Sequence, residues 1–116
     1  MLTPAGDLLL LYITCPSAEV AESLATTLLQ ERLVACANIV PGLVSLYAWK
    51  GAIARDAEWL LLLKTSEEAA SAVAERVRTL HPYENPCLLS LPVDSGLADY
   101  LDWLRTSVAP PDRRSK

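Results

Sequence analysis

The chain has 116 residues, 52% of them hydrophobic and 21% charged, enough for one domain with a single core and without the long polar tracts that stay unfolded. A net charge of -4 excludes a general nucleic-acid binder, because phosphate contacts need clustered Lys and Arg. The one basic cluster, Arg113, Arg114 and Lys116, follows Pro110-Pro111, so a single domain over 1–109 and a disordered tail over 110–116 are expected.

The first element is DLLLLYIT, Asp7 to Thr14, a continuous apolar run of strand length stopped by Pro16 and suited to burial on both faces. It is far short of the ~20 residues of a membrane-spanning helix. No basic stretch precedes it and no small-residue cleavage site follows it, so the expectation is a cytoplasmic protein without a membrane partner. Ser17 then offers an N-cap with Glu19 in the first turn. Val20, Ala21, Leu24, Ala25, Leu28 and Leu29 form one apolar stripe, and this helix is expected to end near Leu33.

ACANIVPGLVSLYAWKG, residues 35 to 51, is rich in strand formers but interrupted by Pro41-Gly42, which predicts a bent or bulged strand. Gly51 suits a tight turn into AEWLLLLKT, Ala57 to Thr65, giving a hairpin. Thr65 and Glu68 have capping-box spacing, and Ala70, Val73, Val77 and Leu80 continue at helical steps until His81-Pro82 stops them. CLLSLPV, Cys87 to Val93, reads as a strand whose Pro92 suits an edge. Asp94, Ser95 and Gly96 then turn the chain into a last helix marked by Leu97, Tyr100, Leu101 and Leu104.

Strand, helix, strand, strand, helix, strand, helix predicts an α+β fold of the ferredoxin-like, split βαβ kind, with an antiparallel sheet and an extra C-terminal helix. The runs over 8–13 and 59–63 are apolar at consecutive positions, while two crossover helices cover one sheet face only. A symmetric homo-oligomer is the economical cover for the other face.

The chemistry on offer is sparse. Four glycines, at 6, 42, 51 and 96, form no phosphate-binding loop, and a single histidine limits nucleophile and base pairs. Cys15, Cys36 and Cys87 are odd in number, have no CxxC, and read as reduced thiols in apolar surroundings. His81 and Glu84 are competent ligands for copper or zinc, though without the repeated spacing of a structural site. The chain has Trp and Tyr but no Phe, so every aromatic ring carries a polar handle, as suits an interface or a half-wet pocket.

Together ERLVACANIVPGLVSLYAWKG, LLLLKT, RVRTLHPYENPCLLSLPV and DYLDWL resemble the CutA family of divalent-cation tolerance proteins over residues 8 to 107. The resemblance implies a cytoplasmic homotrimer with ferredoxin-like subunits and no established reaction, hence no enzyme, acting in the response to metal ions and binding copper or another divalent cation. It carries over Tyr47, Trp49, Lys64, Tyr83, Glu84 and Trp103 as residues near a subunit-boundary cleft and His81 as the metal ligand. Where some relatives proposed to bind copper have a cysteine and a second histidine, this chain has Ile13 and Leu80, with Cys15 two residues out of register. The alternative is a small-molecule sensor trimer similar to the nitrogen-signalling PII class. Such a sensor needs a long exposed loop, and none fits between Trp49 and Ala57.

Overall fold

The computed structural model describes residues 1–109, and the tail expected to be disordered, 110–116, lies outside them. In chain order the elements are β1 (Thr3–Pro4), β2 (Leu8–Cys15), α1 (Ala18–Gln30), β3 (Cys36–Trp49) and β4 (Ala52–Ser66). They continue as α2 (Ala70–Leu80), β5 (Leu88–Pro92), β6 (Ser95–Gly96) and α3 (Ala98–Ser107). The fold is mixed α+β. Its main sheet is antiparallel in the order β3-β4-β2-β5, and β1 pairs with β6 in a two-stranded sheet that the sequence patterns do not announce.

Alternate residues of the central strands meet different surroundings. Leu11, Ile13, Leu61 and Leu63 are closed under α1 and α2 with Leu24, Leu28, Val73 and Val77. At one end of the opposite face α3 closes a second, smaller cluster of Leu8, Leu101, Leu104, Val108, Ala5 and Ala69. Between these, Leu10, Tyr12, Leu60 and Leu62 are half-buried while Leu89 and Leu91 on β5 are exposed.

The expected bulge in β3 is present. Pro41 has no N–H for the ladder, and Gly42 takes the left-handed φ of 82°. Val40 pairs with Leu60 but Leu43 pairs with Glu58, so β3 carries one extra residue. That extra residue switches the alternation. Cys36, Asn38 and Val40 lie opposite Lys64, Leu62 and Leu60, whereas beyond the bulge it is Leu43, Ser45, Tyr47 and Trp49 that lie opposite Glu58, Asp56, Ala54 and Ala52. Directly opposed residues share a face, so the bulge sets Tyr47 and Trp49 on the face of Glu58 and Lys64.

The hairpin turns at Lys50 and Gly51, with φ of 49° and 81°, the pair of positive values a two-residue turn needs to match strand twist. Pairing therefore runs to the turn itself. β4 begins at Ala52, five residues before the expected start, and the hairpin projects beyond the helices. The Cα radius of gyration of 15.2 Å exceeds the about 13 Å expected of a compact chain of this length.

Ser17 caps α1 as expected, accepting from the Val20 N–H at 3.2 Å. The helix ends at Gln30, before Leu33, because Arg32 adopts φ 58° and turns the chain so that Leu33 and Val34 enter the core. The expected capping box of α2 does not form. Pairing of Leu8 with Ser66 keeps Thr65 in the strand, where its hydroxyl donates to the Leu33 carbonyl at 2.6 Å. α2 starts at Ala70, with the Ser66 hydroxyl accepting from the Ala69 N–H. Leu29 and Leu80, expected on buried stripes, are exposed.

Candidate functional site

His81 ends α2 because Pro82 disfavours helical geometry before it; its backbone is extended and its N–H closes the last turn on Val77. The side chain folds back onto the sheet and is buried. Its Nε2 lies 2.8 Å from the Thr14 carbonyl, and its Nδ1 accepts the Tyr83 N–H at 3.1 Å. The two rings stand 4.7 Å apart, and the Tyr83 hydroxyl donates to Glu58 at 2.8 Å.

Glu58 is only 7% exposed, a buried carboxylate on an otherwise apolar strand segment. Sequence reasoning does not choose it as a site residue, although one acid between Ala57 and the run Trp59 to Leu63 is the signal that points to it. Burial raises the Tyr83 phenol above its ordinary range, and the hydrogen bond to Glu58 adds to this. Burial likewise pushes the Cys15 thiol up to about 11, with the nearby Glu58 charge contributing. At neutral pH Cys15 is a protonated, core-packed thiol. Glu84 is exposed and makes no hydrogen bond or ion pair among the described residues.

A second group lies at the other end of β4. Lys64 donates to the Tyr100 hydroxyl at 2.9 Å and sits 5.2 Å from that ring's centre. The Tyr100 hydroxyl raises the Lys64 pKa against the opposing effect of burial, and Cys36, directly across the strand pair, adds to the rise. Tyr100 and Trp103 stack at 5.5 Å and, with Leu97, Ala98 and Asp99, line a shallow open groove on α3.

The third group is on the hairpin. Tyr47 donates to Asp56 at 2.6 Å, which raises its phenol pKa, and meets the edge of Trp49 at 6.4 Å. Lys50 lies 5.7 Å over the Trp49 ring. Asp56 and Glu58 are two residues apart on one strand face, so this group adjoins the His81 and Tyr83 group. Lys64 is six residues further along β4, roughly 20 Å at strand rise. Within one chain, therefore, Tyr47, Trp49, His81 and Tyr83 share one end of the sheet, while Lys64 and Trp103 share the other, and Glu84 is an exposed residue of the turn after His81.

Among the described residues no three His, Cys, Asp or Glu side chains gather as a metal would need. Cys15, Cys36 and Cys87 are free thiols. Among the described residues no helix is long and apolar enough to cross a membrane.

Compared with known proteins, residues 9–107 match the model of the family described as CutA1 divalent ion tolerance protein. The Divalent-cation tolerance protein CutA of Thermus thermophilus is 53% identical over 93 residues, 80% of this chain and 90% of that protein. Human Protein CutA is 39% identical over 100 residues, 86% of this chain, and the matched stretch spans 56% of the human protein. The solved structure of CutA from Synechococcus elongatus superposes with a TM-score of 0.90 at 36% identity, covering 94% of this chain and 96% of that one.

Proposed function

The chain belongs to the CutA1 divalent ion tolerance family, and on that premise we propose that it is a cytoplasmic, homotrimeric binding protein, not an enzyme, that responds to divalent cations such as copper. The observation that carries this reading is the half-open sheet. On the projecting hairpin Leu46, Trp49 and Ile53 are 66%, 60% and 79% exposed, and on the edge strand Leu89 is 61% exposed. Fully burying each such side chain is worth about 1.5–3 kcal/mol. An apolar surface of this extent calls for cover, and further copies of the chain are the economical one. The strand order β3-β4-β2-β5, with α1 and α2 against one face, supports the ferredoxin-like description of the subunit.

The same reading brings the two ends of β4 from neighbouring subunits into one cleft, joining groups that one chain holds roughly 20 Å apart. The two-residue turn at Lys50-Gly51 supports this binding role over a PII-like sensor, whose effector loop has no counterpart in the hairpin. Among the described residues no donor cluster suits a resident ion, and this reading has the encounter with copper occur at the subunit boundary. There Glu84 is the candidate residue with an exposed, unpaired carboxylate.

Light scattering on the purified protein tests the assembly: a mass three times that of the 12.6 kDa chain is expected, and a monodisperse monomer at micromolar concentration refutes it. Calorimetric titration with Cu(II) tests the metal reading separately. Saturable heat that weakens in Glu84→Gln is expected, and no heat in the intact trimer removes copper while leaving the assembly standing.

A further inference from the structure

We propose that His81 is not a metal donor in this protein but a neutral clip that fastens the segment after α2 to the sheet. The assignment follows from what its ring touches. A carbonyl oxygen has no proton to give, so Nε2, 2.8 Å from Thr14 O, carries the hydrogen and donates it. A backbone N–H can only donate, so Nδ1, 3.1 Å from the Tyr83 nitrogen, presents its lone pair. One state meets both demands, the neutral imidazole protonated at Nε2. In that state neither nitrogen has a lone pair left for a cation.

The surroundings reinforce the point. His81 is 6% exposed, so an ion reaching it would displace packed protein rather than water. Cys15, the thiol next to Thr14 in the chain, is fully buried and protonated. What the ring does instead is continuous. Thr14 on β2 holds His81, His81 holds the Tyr83 amide, and the Tyr83 hydroxyl holds Glu58 on β4. Three links in series join two strands of the sheet to the turn that leads into β5. Take the ring away, and the Thr14 carbonyl and the Tyr83 amide lose their partners in a part-buried site. His81 is thus a positioning residue, and it acts by placing Tyr83 against Glu58. This inference stands independently of whether the trimer binds copper elsewhere.

Long-range nitrogen-proton NMR of the wild-type imidazole reads the state directly. The expected spectrum has one protonated nitrogen, Nε2, and one bare nitrogen, unshifted when an equimolar amount of Zn(II) is added as a diamagnetic probe. Loss of the Nε2–H pattern on adding Zn(II) overturns the proposal. Cu(II) isotherms are compared in parallel for wild type, His81→Ala and His81→Gln. Removing a true donor weakens binding at least as much as the roughly 10–100-fold typical of losing an outer partner, so a drop of that size with the assembly intact also overturns it. Overlaying isotherms, or no copper binding in any of the three, support the clip. Gln keeps an amide donor for Thr14, so it is expected to recover denaturant stability that Ala loses. Equal losses in both variants count against the clip, and if neither folds the wild-type spectrum decides.

Discussion

The two faces of the sheet are made from the same leucine-rich strands and end in different states. Leu61 and Leu63 point under α1 and α2 and are fully buried, whereas Leu60 and Leu62, their neighbours in sequence, meet a face closed only at its ends. At one end α3 seats Leu101 and Leu104 beside Leu8. At the other, Tyr83 reaches over Glu58. Under α1 and α2 the closed face is finished by one chain, and the open face carries Tyr47, Trp49, Glu58 and Lys64. Stability and function are thereby separated by the alternation of a strand, one residue apart.

The largest effect that would sharpen this contrast is Leu61→Ala. A buried leucine cut to alanine costs about 2–5 kcal/mol, measured by urea unfolding at a concentration where the subunits are dissociated. Leu62→Ala under the same conditions is expected to cost distinctly less, and equal losses would break the comparison. Next comes the double change Leu89→Glu with Leu91→Glu on the edge strand. Exposed positions typically shift stability by no more than about 0.5 kcal/mol, so far-UV circular dichroism should hold while the scattering mass falls toward that of one chain.

The smallest effect concerns the bidentate pair of Arg105 on α3 with Asp7 before β2, at 2.8 and 3.0 Å. The Arg105 hydrogen bonds lower the Asp7 pKa, outweighing the burial that opposes them. A lowered carboxylate pKa contributes stability at neutral pH that is lost as pH falls through the folded-state value. Wild type and Asp7→Asn should therefore differ slightly at neutral pH and begin to converge below about pH 4 in thermal melts, with the difference shrinking in high salt. A difference that grows on acidification would reverse the sign.

How much of this was legible in advance depended on range. The Ser17 cap, the break at Pro41-Gly42, the turn at Gly51 and the stop at His81-Pro82 are local. Each is a property of a few adjacent residues, and each appears where the sequence puts it. Thr65 shows the limit. Its spacing to Glu68 reads as a helix start, but its strand partner Leu9 holds it in the sheet, and its hydroxyl is used by Leu33 instead. The β1 and β6 pair is not legible because two residues carry no periodicity, and the lone acid Glu58 stands out in its apolar run without naming the tyrosine that covers it.

Pattern alone determined the α+β class and the order of the major elements, because apolar period, capping and turn chemistry act over neighbouring residues, while the family came from the resemblance of whole motifs. Only the tertiary structure decided the one-residue shift that sets Tyr47 and Trp49 on the face of Glu58, the tautomer of His81, and the division of the candidate residues between two ends of β4. These depend on partners dozens of residues away. A hydrogen bond or a strand register is chosen by the competition among all such partners in space, and that competition is not written in any one stretch of the chain.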